Sequence, residues 1–219
     1  MAGLVGPRFG AQPGQARQLV VVLHGLGADG QDLIQLAPDW AEALPDAAFI
    51  APDAPEPCDM APYGRQWFSL QDRSPAVMAA GVRGAAAALG PLVESELARF
   101  GLPPAALALA GFSQGAMMAL QLGLRGRPTP AVILAYSGAL LGPESLAAEL
   151  TGKPPVLLVH GEADDIVPVA ATRAAEAALR AAGVPVEAIY RPGLPHGIDP
   201  AGIEAGMRAL ARAFGVTAG

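Results

Sequence analysis

The residues best suited to chemistry lie in one short run, Gly111-Phe112-Ser113-Gln114-Gly115, of the form G-x-S-x-G. An apolar stretch, 107–110, precedes it, and good helix formers follow from Gln114. A strand that turns abruptly into a helix strains its apex residue, and glycines on either side remove the Cβ atoms that would collide there. The serine hydroxyl is lifted above the sheet, and the helix N-terminus aims its free N–H groups and partial positive charge at the carbonyl under attack. A Gly-rich turn that merely caps a helix is the alternative, and the strand-before, helix-after context speaks against it.

A serine hydroxyl is a weak nucleophile until a base takes its proton. The chain has three histidines. His24 and His160 each precede a glycine at the end of an apolar run, whereas His196 sits in Leu194-Pro195-His196-Gly197, after the last predicted strand. Where a serine occupies such a turn, its partners follow in the order acid, then histidine, and His196 alone comes after the other two members. The acid belongs on the loop after the 156–159 run, where Glu162, Asp164 and Asp165 compete. Spacing does not separate the adjacent aspartates. A tetrahedral intermediate also needs two N–H donors for its oxyanion. One is the backbone N–H of Gln114, and the other is assigned to Leu26 in the loop His24-Gly25-Leu26-Gly27-Ala28-Asp29-Gly30. That loop lacks the G-x-G-x-x-G spacing of a dinucleotide site.

Elements must hold these groups in place. Runs 19–23, 107–110, 131–136 and 156–159 are apolar without alternation, as in strands buried on both faces, and 47–51 and 186–190 are weaker candidates. Helices are expected at 29–44, from Pro75 after a Ser74 cap to Phe100, at 114–124, 168–182 and 200–214. The alternation implies an α/β fold with a mostly parallel sheet and helices on both faces, whose ligands bind at the carboxyl ends of the strands. The connection 52–75 is long, proline-rich and irregular, with Trp67 and Phe68 near its centre, and loops of that length are usually functional.

Bulk properties narrow the function further. The 219 residues fit a single domain, 1–219, and 52% hydrophobic against 16% charged residues argue for a globular chain. A net charge of −6 makes nucleic acid an unlikely fit as a partner. The single cysteine, Cys58, excludes an internal disulfide and points to a reducing, cytoplasmic setting. No signal peptide is evident, and the longest apolar stretches, such as 131–142, fall short of a bilayer's roughly 20 residues. No transmembrane segment, cofactor or metal is expected, and a homodimer stays open.

HGLGADG at 24–30, GFSQGA at 111–116, HGEADDIVP at 160–168 and LPHGI at 194–198 together resemble the phospholipase/carboxylesterase family, which includes acyl-protein thioesterases. The resemblance spans nearly the whole chain. It implies a compact α/β-hydrolase fold without a large cap domain, Ser113, Asp164 and His196 as a catalytic triad, and Leu26 and Gln114 as oxyanion donors. It thereby favours Asp164 over Asp165. The implied activity is hydrolysis of small-molecule esters of small to medium acyl chains through an acyl-enzyme, with an acyl-protein or small-molecule thioesterase or a lysophospholipase as the alternative, and a non-catalytic hydrolase-fold binding protein as the remaining one. Arg65-Gln66-Trp67-Phe68 is similar to a segment that borders the family's acyl pocket, which marks Trp67 and Phe68 as substrate-binding. Many members carry an aspartate after the aromatic pair where this chain has Ser69. Packing under a long loop would equally account for both aromatics, and core packing is the expectation for Met117 and Met118.

Overall fold

The computed structural model describes residues 3–216. In chain order the strands and α-helices are β1 (Arg8–Gly10), β2 (Gln18–Leu23), α1 (Gly30–Leu33), α2 (Ala37–Ala43), β3 (Ala47–Ile50), β4 (Glu56–Pro57), β5 (Arg65–Gln66) and α3 (Pro75–Phe100). There follow β6 (Leu107–Phe112), α4 (Gln114–Arg125), β7 (Val132–Tyr136), α5 (Leu146–Glu149), β8 (Val156–Gly161), α6 (Val169–Ala181), β9 (Val186–Arg191) and α7 (Pro200–Phe214). The two outermost residues of the expected domain at its start and the three at its end lie outside the described residues.

A seven-stranded sheet runs β1-β3-β2-β6-β7-β8-β9. Every neighbouring pair is parallel except β1 with β3. Strand β2 explains the unalternated apolar runs. Leu19, Val21 and Leu23 join one buried cluster, with Val82 and Val93 of α3, Leu120 of α4 and Leu179 of α6. Val20 and Val22 face the opposite cluster, with Trp40 of α2 and Leu210 of α7. Both faces are covered by helices, so both sets of alternating side chains are apolar. From β2 the chain passes to β3 on one side and later to β6 on the other. The order therefore reverses between β2 and β6, the place where open α/β sheets bind ligands.

Several details depart from the sequence reading. The helix expected over 29–44 is broken into α1, a 3-10 turn at Ile34–Leu36 and α2, with Pro38 in the first turn of α2. Strand β1 has an exposed three-residue pattern with no apolar signature. The 52–75 connection contains the small antiparallel pair β4 and β5. At 26 residues, α3 is long and apolar enough by composition to match a bilayer, unlike the shorter stretches weighed above. Its Val82, Leu89, Val93 and Leu97 are nonetheless packed into the core under the sheet.

Candidate active site

Ser113 sits on the turn between β6 and α4 with φ 54° and ψ −116°, a left-handed conformation that costs a non-glycine residue energy. Its N–H donates to Tyr136 O at 2.9 Å, fixing the turn against β7. The flanking glycines are required by contact. A Cβ on Gly111 would collide with the Gly115 carbonyl, and one on Gly115 would collide with the carbonyl of Leu23 at the end of β2. The register pairs Leu23 with Gly111, so the loop after β2 emerges beside the serine turn. Neither Leu26 N–H nor Gln114 N–H donates a backbone hydrogen bond among the described residues. Gln114 is the first residue of α4, so no carbonyl lies one turn back in the helix for its N–H to reach.

His196 and Asp164 meet across the loops that follow β9 and β8. His196 Nδ1–H donates to Asp164 Oδ2 at 2.7 Å, and its ring packs on Phe112 with centroids 4.7 Å apart. Asp164 Oδ1 accepts from Val167 N–H at 2.8 Å and Ile166 N–H at 3.0 Å. Burial pushes the Asp164 carboxyl up, but hydrogen bonds from His196, Val167 and Ile166 outweigh it and hold the group below the ordinary carboxylate range. Asp165 points to solvent, and Glu162 pairs with Arg173 at 2.9 Å. With Nδ1 occupied by the carboxylate, Nε2 of His196 is left to exchange a proton. No hydrogen bond from Ser113 Oγ to His196 forms among the described residues. In free enzymes such contacts often tighten only when substrate is bound.

The other two histidines are engaged elsewhere. His24 is buried, its Nδ1–H donates to Gly25 O at 2.7 Å, and its Nε2 accepts from Ala54 N–H at 3.0 Å. Burial holds its pKa below the usual imidazole value. His160 Nε2–H donates to Val167 O at 2.8 Å and lies 3.1 Å from Asp164 Oδ2, while Nδ1 lies 2.6 Å from Thr172 Oγ1. His160 thus braces the 164–167 turn from beneath.

Ser113, Gln114, His196 and the 25–28 loop line one cavity of about 500 Å³. Its apolar wall comes from Leu70, Met78, Met117, Ile166 and Val167, and Asp32 and Arg73 are its charged groups. Sequence reasoning did not single out Leu70, Met78, Ile166 or Val167; Met117, expected in the core, is packed there and also reaches the cavity. Trp67 and Phe68 are 5% and 4% exposed and are absent from that lining. Trp67 lines a separate cavity with Leu4, Ala54, Leu89 and Leu92. Ser69 donates to Asp59, so a carboxylate still stands beside the aromatic pair. No group of three or more His, Cys, Asp or Glu side chains is placed to hold a metal among the described residues.

The sequence profile of the phospholipase/carboxylesterase family matches residues 9–211. The chain belongs to the phospholipase/carboxylesterase family. This hydrolase is 31% identical to esterase YpfH of Escherichia coli K12 over 186 residues, 84% of this chain and 78% of that one. It is 26% identical to acyl-protein thioesterase 1 of Gibberella zeae over 216 residues, 91% and 92% of the two chains. Among solved structures, esterase PE8 superposes with a TM-score of 0.90 at 40% identity, covering 97% of this chain and 100% of that one. The family and these relatives identify the chain as a hydrolase of carboxylic esters or thioesters, on the compact α/β-hydrolase fold.

Proposed function

We propose that the hydrolase cleaves esters of small to medium acyl chains by a two-step acyl transfer, with Ser113 as nucleophile, His196 as base and Asp164 orienting the imidazole. The observation that carries the reading is the 2.7 Å hydrogen bond from His196 Nδ1 to Asp164 Oδ2, made at the edge of the cavity that also holds Ser113. Ser113 Oγ attacks the carbonyl as its proton passes to His196 Nε2. The developing imidazolium is stabilised by the ionised Asp164, and the oxyanion is received by Leu26 N–H and Gln114 N–H. The proton then goes to the departing alcohol, leaving an acyl-serine. Water, deprotonated by neutral His196, releases the acid and restores the serine. One domain carries the whole sequence of steps, and the lone cysteine suits a reducing, cytoplasmic setting.

A cavity of about 500 Å³ with an apolar wall suits an acyl chain rather than a charged group at the acyl side. The same machinery serves a thiol leaving group, a second reading favoured by the match to acyl-protein thioesterase 1 over nearly the full length. Comparing kcat/KM for matched oxygen esters and thioesters across a series of chain lengths tests both. We expect turnover of both leaving groups, with one chain-length optimum shared by the two series. Separate optima, or turnover of neither series, would contradict a common acyl site.

A further inference from the structure

Trp67 and Phe68 stand outside the cavity, yet their hydrogen bonds lead to both segments that bear the oxyanion donors. The Trp67 indole N–H donates to His24 O at 2.9 Å, at the root of the loop that carries Leu26. The two rings pack with centroids 5.4 Å apart. His24 is locked in turn by its bonds to Gly25 O and from Ala54 N–H. On the other side, Trp67 N–H donates to Gln114 Oε1 at 2.9 Å and Gln114 Nε2–H donates to Phe68 O at 2.7 Å. Gln114 is 1% exposed, so this pair of bonds is sheltered from water. A buried amide that uses both its oxygen and its nitrogen on one backbone segment makes a two-point clamp, stiffer than a single bond.

We propose that Trp67 is a positioning residue that spans the two halves of the oxyanion hole, its indole N–H holding the loop of Leu26 and its backbone amide holding the helix start of Gln114. The proposal rests on the reading of Leu26 and Gln114 as the oxyanion donors. Each donor belongs to a separate element, the loop after β2 and the first turn of α4, so their separation depends on whatever crosses between them. Gly111 and Gly115 bring the backbones close. The Trp67 strut sets how far the N–H groups stand apart and how they are aimed. Oxyanion donors act through preorganisation, so a small displacement weakens the transition state while leaving ground-state binding to the apolar wall.

The test uses Trp67→Phe, which keeps a ring in the core and removes the indole N–H, and Gln114→Met, which fills similar space and removes the clamp while retaining the backbone N–H. Each is compared with the unaltered protein for kcat, KM and the Ki of an alkyl trifluoromethyl ketone, whose serine adduct places an oxyanion in the hole. Each single change should lower kcat about tenfold and raise Ki by a similar factor, with KM within twofold. The double variant should lose no more than about threefold beyond the worse single variant, because both changes break one strut. Thermal melting confirms that the measured protein is folded, and Gln114→Met alone decides the matter if Trp67→Phe does not fold. A rise in KM that grows with acyl length, at unchanged kcat and Ki, would overturn the proposal and return Trp67 to the acyl wall. Fully multiplicative losses in the double variant would also overturn it. Failure of the ketone to inhibit the unaltered protein would instead remove the underlying reading of the site.

Discussion

Asp164 is the side chain on which the proposed site converges. One oxygen takes the His196 imidazole at 2.7 Å, and the other takes two backbone N–H groups. Asp164→Asn replaces that acceptor with an amide that turns the imidazole to the wrong tautomer, and kcat should fall by about 10⁴-fold. Asp165→Asn, at an exposed position, should stay within about twofold, so steady-state kinetics on the pair separates the two neighbours. The lowered pKa also sets a direction for stability. An ionised Asp164 stabilises the fold above the ordinary carboxylate range near pH 4, and that contribution is lost as pH falls through its lowered value. The gap in Tm between the unaltered protein and Asp164→Asn should therefore narrow on acidification below about pH 4. Ser113 and His196 were legible from chain order because each position admits one residue of the required type. Asp164 and Asp165 are adjacent acids of one kind, and only the tertiary course of the loop buries one and exposes the other. Leu70, Met78 and Ile166 escaped notice because no periodicity marks a residue that meets the site from a loop or a first helical turn.

At the scale of elements, the closeness of α4 to the end of β2 is the constraint that brings the serine turn and the 25–28 loop together. A methyl group on Gly115 would strike the Leu23 carbonyl, which is backbone and has no rotamer to escape into. Gly115→Ala should lower Tm by roughly 10 °C or more, or prevent folding. Gly84, exposed midway along α3 with open space around its Cβ position, provides the contrast. Gly84→Ala should raise Tm by about 3 °C, since alanine favours a helix interior by about 1 kcal/mol. Scanning calorimetry of the two variants checks both. The buried strands were readable because residues apolar on both faces leave an unbroken run. Strand β1 was not, since its three residues are exposed and Phe9, which meets Phe49 of β3 edge-on, is the one apolar side chain in it. Strands β4 and β5, two residues each, are too short to leave a pattern, and their pairing shapes the loop that delivers Trp67. Aromatic composition drew attention to that segment, but it could not place the two rings relative to the cavity.

For the whole molecule, the doubly covered, mostly parallel sheet gathers the loops after β2, β6, β8 and β9 at one end, and each contributes to the proposed chemistry: Leu26, Ser113 with Gln114, Asp164, and His196. The most direct measurement is reaction with an alkyl fluorophosphonate followed by peptide mass spectrometry, alongside ester turnover by Ser113→Ala. A triad built on Ser113 predicts one phosphonate per chain, attached at Ser113, with stoichiometric loss of activity, and a folded Ser113→Ala protein that neither labels nor turns over ester above background. Labelling at another residue, or a Ser113→Ala protein that keeps a substantial share of the rate, would contradict it.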